Sequence, residues 1–263
     1  MLMAAKNQLK VSLLSIKYGI MREMVNKVSF IMNIIMMVLN NASFIILWVV
    51  FYSIKDSIGG SSFKDVLLLW ALASGTYGFS HTLFINSFNL SKQINNGKLD
   101  AYLVQPKNVL LQTISGVSAS ALGDILYGYI ILVILGCNLW QYILFTLFSF
   151  TGGCIMAAVS IIYGSLSFWF NNTESIVNTA NSMVTQFATY PEGIFNKTIK
   201  VILYTVVPVG IANYLPASII ANFNIYIFLI VLFVTAIIVA LAFIVFYLGL
   251  RKYSSSNLMI ART

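Results

Sequence analysis

The chain has 263 residues, of which 59% are hydrophobic and 8% charged, with a formal net charge of +8. Soluble domains carry about 25% charged residues, so a water-covered globular surface is excluded. The apolar residues run in blocks of about 20, long enough to cross roughly 30 Å of hydrocarbon as helix, and blocks this continuous exclude the alternation of a β-barrel. The expectation is an all-α membrane protein: one transmembrane domain over residues 1–263, with six transmembrane helices and both termini in the cytoplasm.

In chain order, Lys6, Lys10, Lys17, Arg22 and Lys27 crowd the start with no apolar core ahead of a small-residue cleavage site, so no cleavable leader is expected. Residues 5–27 predict an amphipathic interfacial helix. Leu9, Leu13, Ile16, Ile20 and Met24 share one face, with Gln8, Ser12, Ser15, Arg22 and Asn26 opposite. Spans are expected over residues 30–54 and 66–88, separated by a loop containing Asp56, Gly59, Gly60, Ser61 and Ser62. Asn40 and Asn41 interrupt the first. Gly75 and Gly78, like Gly152 and Gly153 further on, read as devices for close helix packing.

A polar loop over residues 91–107 leads to a third span, 114–136. A short turn at Cys137-Asn138-Leu139 precedes a fourth, 140–168. Asn171, Asn172 and Thr173 break the chain, and Glu174 is placed early in the next helix, where the dipole favours an acid. The fifth span, 175–190, is rich in Asn, Ser, Thr and Gln and closes at Pro191. Residues 197–220 are apolar but interrupted by Pro208 and Pro216, and the last span covers residues 225–250.

Charge decides the count. Six spans put Lys6, Lys10, Lys17, Arg22, Lys27, Lys92, Lys98, Lys107, Arg251, Lys252 and Arg262 on the cytoplasmic side, against Lys55, Lys64, Lys197 and Lys200 outside. A seventh span would send Arg251 and Lys252 outside, against the positive-inside bias. Residues 197–220 are therefore expected as a re-entrant helical segment. The same bias explains the basic balance without a nucleic-acid partner.

Three features could carry function. Asn178, Asn181, Ser182, Thr185 and Thr189 recur at intervals of three and four and so share a face of the fifth span, with Val177, Ala180, Val184 and Phe187 on the other side. That stripe suits either a translocation path or interhelical hydrogen bonds. His81 and Asp124 are intramembrane ionisable groups, a possible contact pair. No catalytic constellation is present: His81 is the sole histidine, and the chain has neither a Gly-x-Ser-x-Gly elbow nor a phosphate-binding Gly-x-x-x-x-Gly-Lys-Ser/Thr loop. Cys137 and Cys154 lack metal-ligand spacing and read as packing residues. No metal or cofactor is expected in this chain.

The third feature is the loop Ile94-Asn-Asn-Gly-Lys-Leu-Asp-Ala-Tyr-Leu-Val-Gln-Pro106. It resembles the "I-x-x-G-x-L-D-x-Y-L-x-x-P" motif of bacterial type-2 ABC exporter permeases, most of all those encoded apart from their ATPase. The basic N-terminal helix, Phe168-Trp169 after the fourth span and Tyr190-Pro191 after the fifth extend the likeness in layout. The resemblance implies that residues 91–107 form the cytoplasmic coupling loop that docks on an ABC ATPase, with Gly97, Leu99, Asp100, Tyr102, Leu103 and Pro106 at the motif positions. It also implies a second permease chain, identical or related, with ATP and magnesium on the partner ATPase. Gln105 stands where such permeases more often carry Arg, implying either one weaker ionic contact with the ATPase or a different partner. Competing readings are an ATP-independent secondary transporter, a membrane enzyme and an accessory membrane subunit. The first needs mid-membrane charge, for which only His81 and Asp124 are available, and the second needs clustered acid, base or metal ligands, which are missing.

Overall fold

The computed structural model describes residues 2–170 and 173–253, with only the backbone of residues 2–6 and 9. Asn171, Asn172 and Arg262, and the side chains of Lys6 and Leu9, lie outside the described residues. The described residues are helical, with no strand among them.

Helix α1 (Leu2–Glu23) rests on the body through a mixed face that includes Gln8, Val11, Ile16, Gly19 and Ile20. Gln8 Oε1 accepts from the Asn108 amide at 2.9 Å, and Gly19 packs on Val117. Leu13, Tyr18 and Met21 point outward, while Ile16 and Ile20 are half-buried. Asn26 turns the chain and caps α2 (Lys27–Ile54), accepting from the Ser29 amide at 3.1 Å.

Helix α3 (Phe63–Phe84) begins a turn earlier than its apolar pattern suggests. Ser62 and Asp65 form a reciprocal capping box that satisfies the first amides. It also ends earlier, passing through a 3₁₀ turn (Ile85–Asn89) into α4 (Leu90–Asn95), α5 (Asp100–Leu103) and α6 (Val109–Ile114). The expected helix 114–136 is broken: α7 covers only Ser120–Ile134. Residues 115–119 are spent on the end of α3, where the Gly116 amide donates to Leu83 O at 3.4 Å and the Ser118 amide to His81 O at 3.2 Å. These bonds satisfy carbonyls that a helix C-terminus otherwise leaves unpaired.

Asn138 and Gln141 form a second capping box at the head of α8 (Leu139–Ser165), which runs on through a 3₁₀ turn to Phe168. Glu174 opens α9 (Glu174–Phe187), as expected. Residues 197–220 fold as α10 (Lys197–Thr205), a π-helical turn (Gly210–Tyr214) and α11 (Leu215–Ala221), the two halves meeting at 82°. The bend falls beside Pro208, which disfavours helix in the residue before it. Pro216 follows the π-helical turn without a break, and having no amide it makes no backbone bond back to that turn. Helix α12 (Ile225–Leu250) matches its expected bounds residue for residue.

Three described helices, Lys27–Ile54, Leu139–Phe168 and Ile225–Leu250, are long and apolar enough to cross a membrane, and the bent pair makes up to four. Helix α3 is not among them because its lower half carries Ser74, Thr76, Ser80 and His81, all buried. At the centre is α8, with 67% of its most apolar window buried, against 11% for α2 and 17% for α12. Helices α3, α9 and α12 pack on α8, and α7 packs between α2 and α3. The α3–α8 crossing is close because Gly75 faces Ser149 and Gly152 faces Thr76. On the N-terminal side of the crossing along both helices, Leu72, Leu144, Phe145 and Phe148 join Leu132 of α7 in a fully buried apolar core.

Candidate functional site

The polar stripe on α9 lines a groove. Val177, Ala180 and Val184 are buried on the opposite side of the helix and seat it on the body. This leaves the stripe facing two adjoining cavities of about 520 and 420 Å³ that share Tyr77, Met156, Thr185 and Gln186. Thr185 and Thr189 line the larger; Asn178, Asn181, Ser182 and Thr185 line the smaller. Both readings of the stripe have a physical counterpart. Asn181 Oδ1 accepts from Ser160 Oγ on α8 at 2.6 Å, an interhelical bond. Thr185 and Thr189 donate to their own helix, at 3.1 Å to Asn181 O and 2.7 Å to Gln186 O.

Asp124 and His81 both reach the groove, but the contact considered between them does not form. Asp124 lines the larger cavity, accepting from Asn41 Nδ2 at 2.7 Å, while Ser74 Oγ donates to its backbone carbonyl at 2.7 Å. His81 lines the smaller cavity, sandwiched between Tyr77 and Phe88 with ring centroids 3.8 and 4.2 Å away. Its Nδ1 lies 2.9 Å from Ser80 Oγ and 3.1 Å from Tyr77 O. The pair belongs to two levels of one groove, and the Asn41 signal was visible only as an interruption of an apolar block.

At the other end of the body, the motif 97–106 makes an elbow. Gly97 has φ +66°, a turn only glycine takes without strain, and reverses the chain after α4. Leu99 is fully buried with Leu90, Ile94 and Leu110, and Tyr102 packs on the same cluster. Asp100 is half-buried beside Tyr253, just past the end of α12. Burial pushes the Tyr253 phenol pKa up, and the Asp100 carboxylate next to it pushes the same way. Leu103 is 43% and Val104 85% exposed, with Pro106 exposed after them. The motif residues thus divide: Leu99 and Tyr102 anchor the elbow, while Leu103 and Pro106 lie on its surface. Val104, between two motif positions, is the most exposed apolar residue of the elbow, and a valine in a polar loop was its only sequence signal.

Long apolar helices around a polar groove define a multi-pass membrane protein. Residues 37–257 match the ABC-2 family transporter protein family, and the chain belongs to it. It is therefore a permease component of an ABC transporter, a membrane subunit that associates with an ABC ATPase. No curated protein and no solved structure matches the chain.

Proposed function

We propose that the chain is the permease subunit of an ATP-driven exporter in a bacterial cytoplasmic membrane, powered by a separate ATPase. The observation that carries this is the elbow: exposed Leu103 and Val104 project from a base pinned by fully buried Leu99, a rigid apolar tip that suits a protein partner. Helices α2, α3, α7, α8, α9 and α12 are the six spans, α1 lies in the cytoplasmic interface, and both termini face the cytoplasm. Two such chains, identical or related, enclose a path, with Asn178, Asn181, Ser182, Thr185 and Thr189 along it. The bent pair α10–α11 is the outer lid, braced by Lys200 and Glu192 at 3.5 Å and by Tyr204 Oη donating to Glu192 at 3.2 Å. ATP-driven closure of the ATPase pair pushes on the elbow, and Leu99 and the Asp100–Tyr253 contact pass the motion to α4 and α12.

The test is affinity purification of the tagged chain from its native membrane, beside a Val104→Asp variant. An ATPase subunit in equal amount with the unchanged chain, and lost with the variant, supports the reading. Full transport by the lone chain in vesicles without ATP favours an ATP-independent carrier instead.

A further inference from the structure

The larger cavity holds a buried carboxylate with no cationic side chain among the described residues that line it. Asp124 is 2% exposed; Asn41 serves its Oδ1, and its Oδ2 has no partner. Asn213 lines the same cavity, is 0% exposed, and has neither amide atom bonded. It is carried by the π-helical turn, a wider coil that recurs at functional positions. No Lys, Arg or His is among the described residues that line this cavity. Trp70 Nε1 and Thr76 Oγ1 on the same wall are also unbonded. Buried polar groups are ordinarily paired, and a buried charge left alone is costly, so five unmet polar atoms around one space mark a place for a ligand.

The rest of the wall is aromatic. Phe44 and Trp70 stack with centroids 5.5 Å apart, Trp48 meets Tyr190 edge-on at 5.9 Å, and Tyr77 closes the side toward the second cavity. Aromatic faces carry negative potential and attract organic cations. The volume of about 520 Å³ is that of a pocket for a drug-sized molecule.

We propose that this cavity binds the transported substrate, and that the substrate is an amphipathic organic cation, an apolar body bearing an amine or quaternary ammonium group. The proposal rests on the reading of the groove as the transport path. Asp124 supplies the counter-charge, Asn213 and Asn41 take any N–H of the head group, and the aromatic walls hold both the cation and the apolar body. An anion of the same shape meets the carboxylate and the aromatic faces with the wrong sign and is rejected.

The experiment uses the full chain in nanodiscs and two ions of one shape and opposite charge, tetraphenylphosphonium and tetraphenylborate, with empty nanodiscs subtracted. Saturable binding of the cation and not of the anion is expected. Asp124→Asn, which keeps the volume and a partner for Asn41, should weaken cation binding at least about tenfold. Equal saturable binding of both ions, or unchanged cation affinity in Asp124→Asn, overturns the proposal. The two-ion comparison needs no variant, so misfolding cannot mask it. In parallel, Ser182→Cys, in a chain with Cys137 and Cys154 replaced by alanine, is treated with a water-soluble maleimide. Labelling without cation binding discards the cation site and keeps the path. Cation binding without labelling keeps the site and discards the path.

Discussion

Two leucines of one short motif should fail in opposite ways. Leu99 is fully buried beneath the elbow, and Leu103, four residues on, is 43% exposed. Leu99→Ala leaves a cavity among Leu90, Ile94 and Leu110, for which the cost is roughly 3 kcal/mol. The loss falls on this cluster rather than on the separate core around Leu72, Phe145 and Phe148, so residues 91–107 should open locally about 100-fold more often. Leu103→Ala trims a side chain that is 43% exposed and outside the buried cluster, so it should cost under about 1 kcal/mol, yet weaken ATPase binding about tenfold. Hydrogen exchange read by mass spectrometry on both variants, with ATPase affinity measured alongside, separates the effects. Faster exchange of residues 91–107 in Leu99→Ala alone, and weakened ATPase binding with normal exchange in Leu103→Ala, is the expected pair. Unchanged exchange in Leu99→Ala, or equal acceleration in both, would refute the division into anchor and tip.

At the α3–α8 crossing, a Cβ on Gly152 would come within 2.5 Å of Thr76 Oγ1 and 3.0 Å of Ala212 O, so Gly152→Ala should cost about 1–3 kcal/mol and lower the thermal unfolding midpoint. Asn178→Leu should leave that midpoint near its original value while reducing transport, because Asn178 lines the groove from an exposed position; Asn181→Leu should lower both, about 0.6 kcal/mol of it through the lost Ser160 bond. The raised Tyr253 pKa means that its contact with the elbow contributes fully below the ordinary phenol value of 10.0 and is lost as pH climbs through the higher folded value. Protection of residues 97–106, measured relative to base-catalysed exchange of the unfolded chain, should therefore fall at strongly alkaline pH in the native chain, and Tyr253→Phe should remove that alkaline step.

Much of this was legible from residue pattern. Helix α12 is one uninterrupted apolar block between Asn224 and Arg251, so nothing competes for its bounds. The α9 stripe showed through because its polar residues keep the helical period, and the groove lies where that period put it. The start of α3 is written in the Ser62-x-x-Asp65 box, a capping signal that hydropathy alone does not carry. The break before α7 was not, because residues 115–119 leave the helix to serve carbonyls of α3, a partner about 35 residues away that no local pattern shows. Nor could the motif say which of its leucines turns inward. The cavity was hidden for the same reason, since Asn41, Trp70, Asp124 and Asn213 belong to four separate segments and meet only in the folded chain.

The most direct test is reconstitution of the purified chain in proteoliposomes with and without its ATPase, with Val104→Cys as a cross-linking handle on the elbow. Transport that requires both ATP and the ATPase, with a cross-link from residue 104 to that ATPase, is the predicted result. ATP-independent transport by the chain alone, with residue 104 joined to nothing, would contradict it.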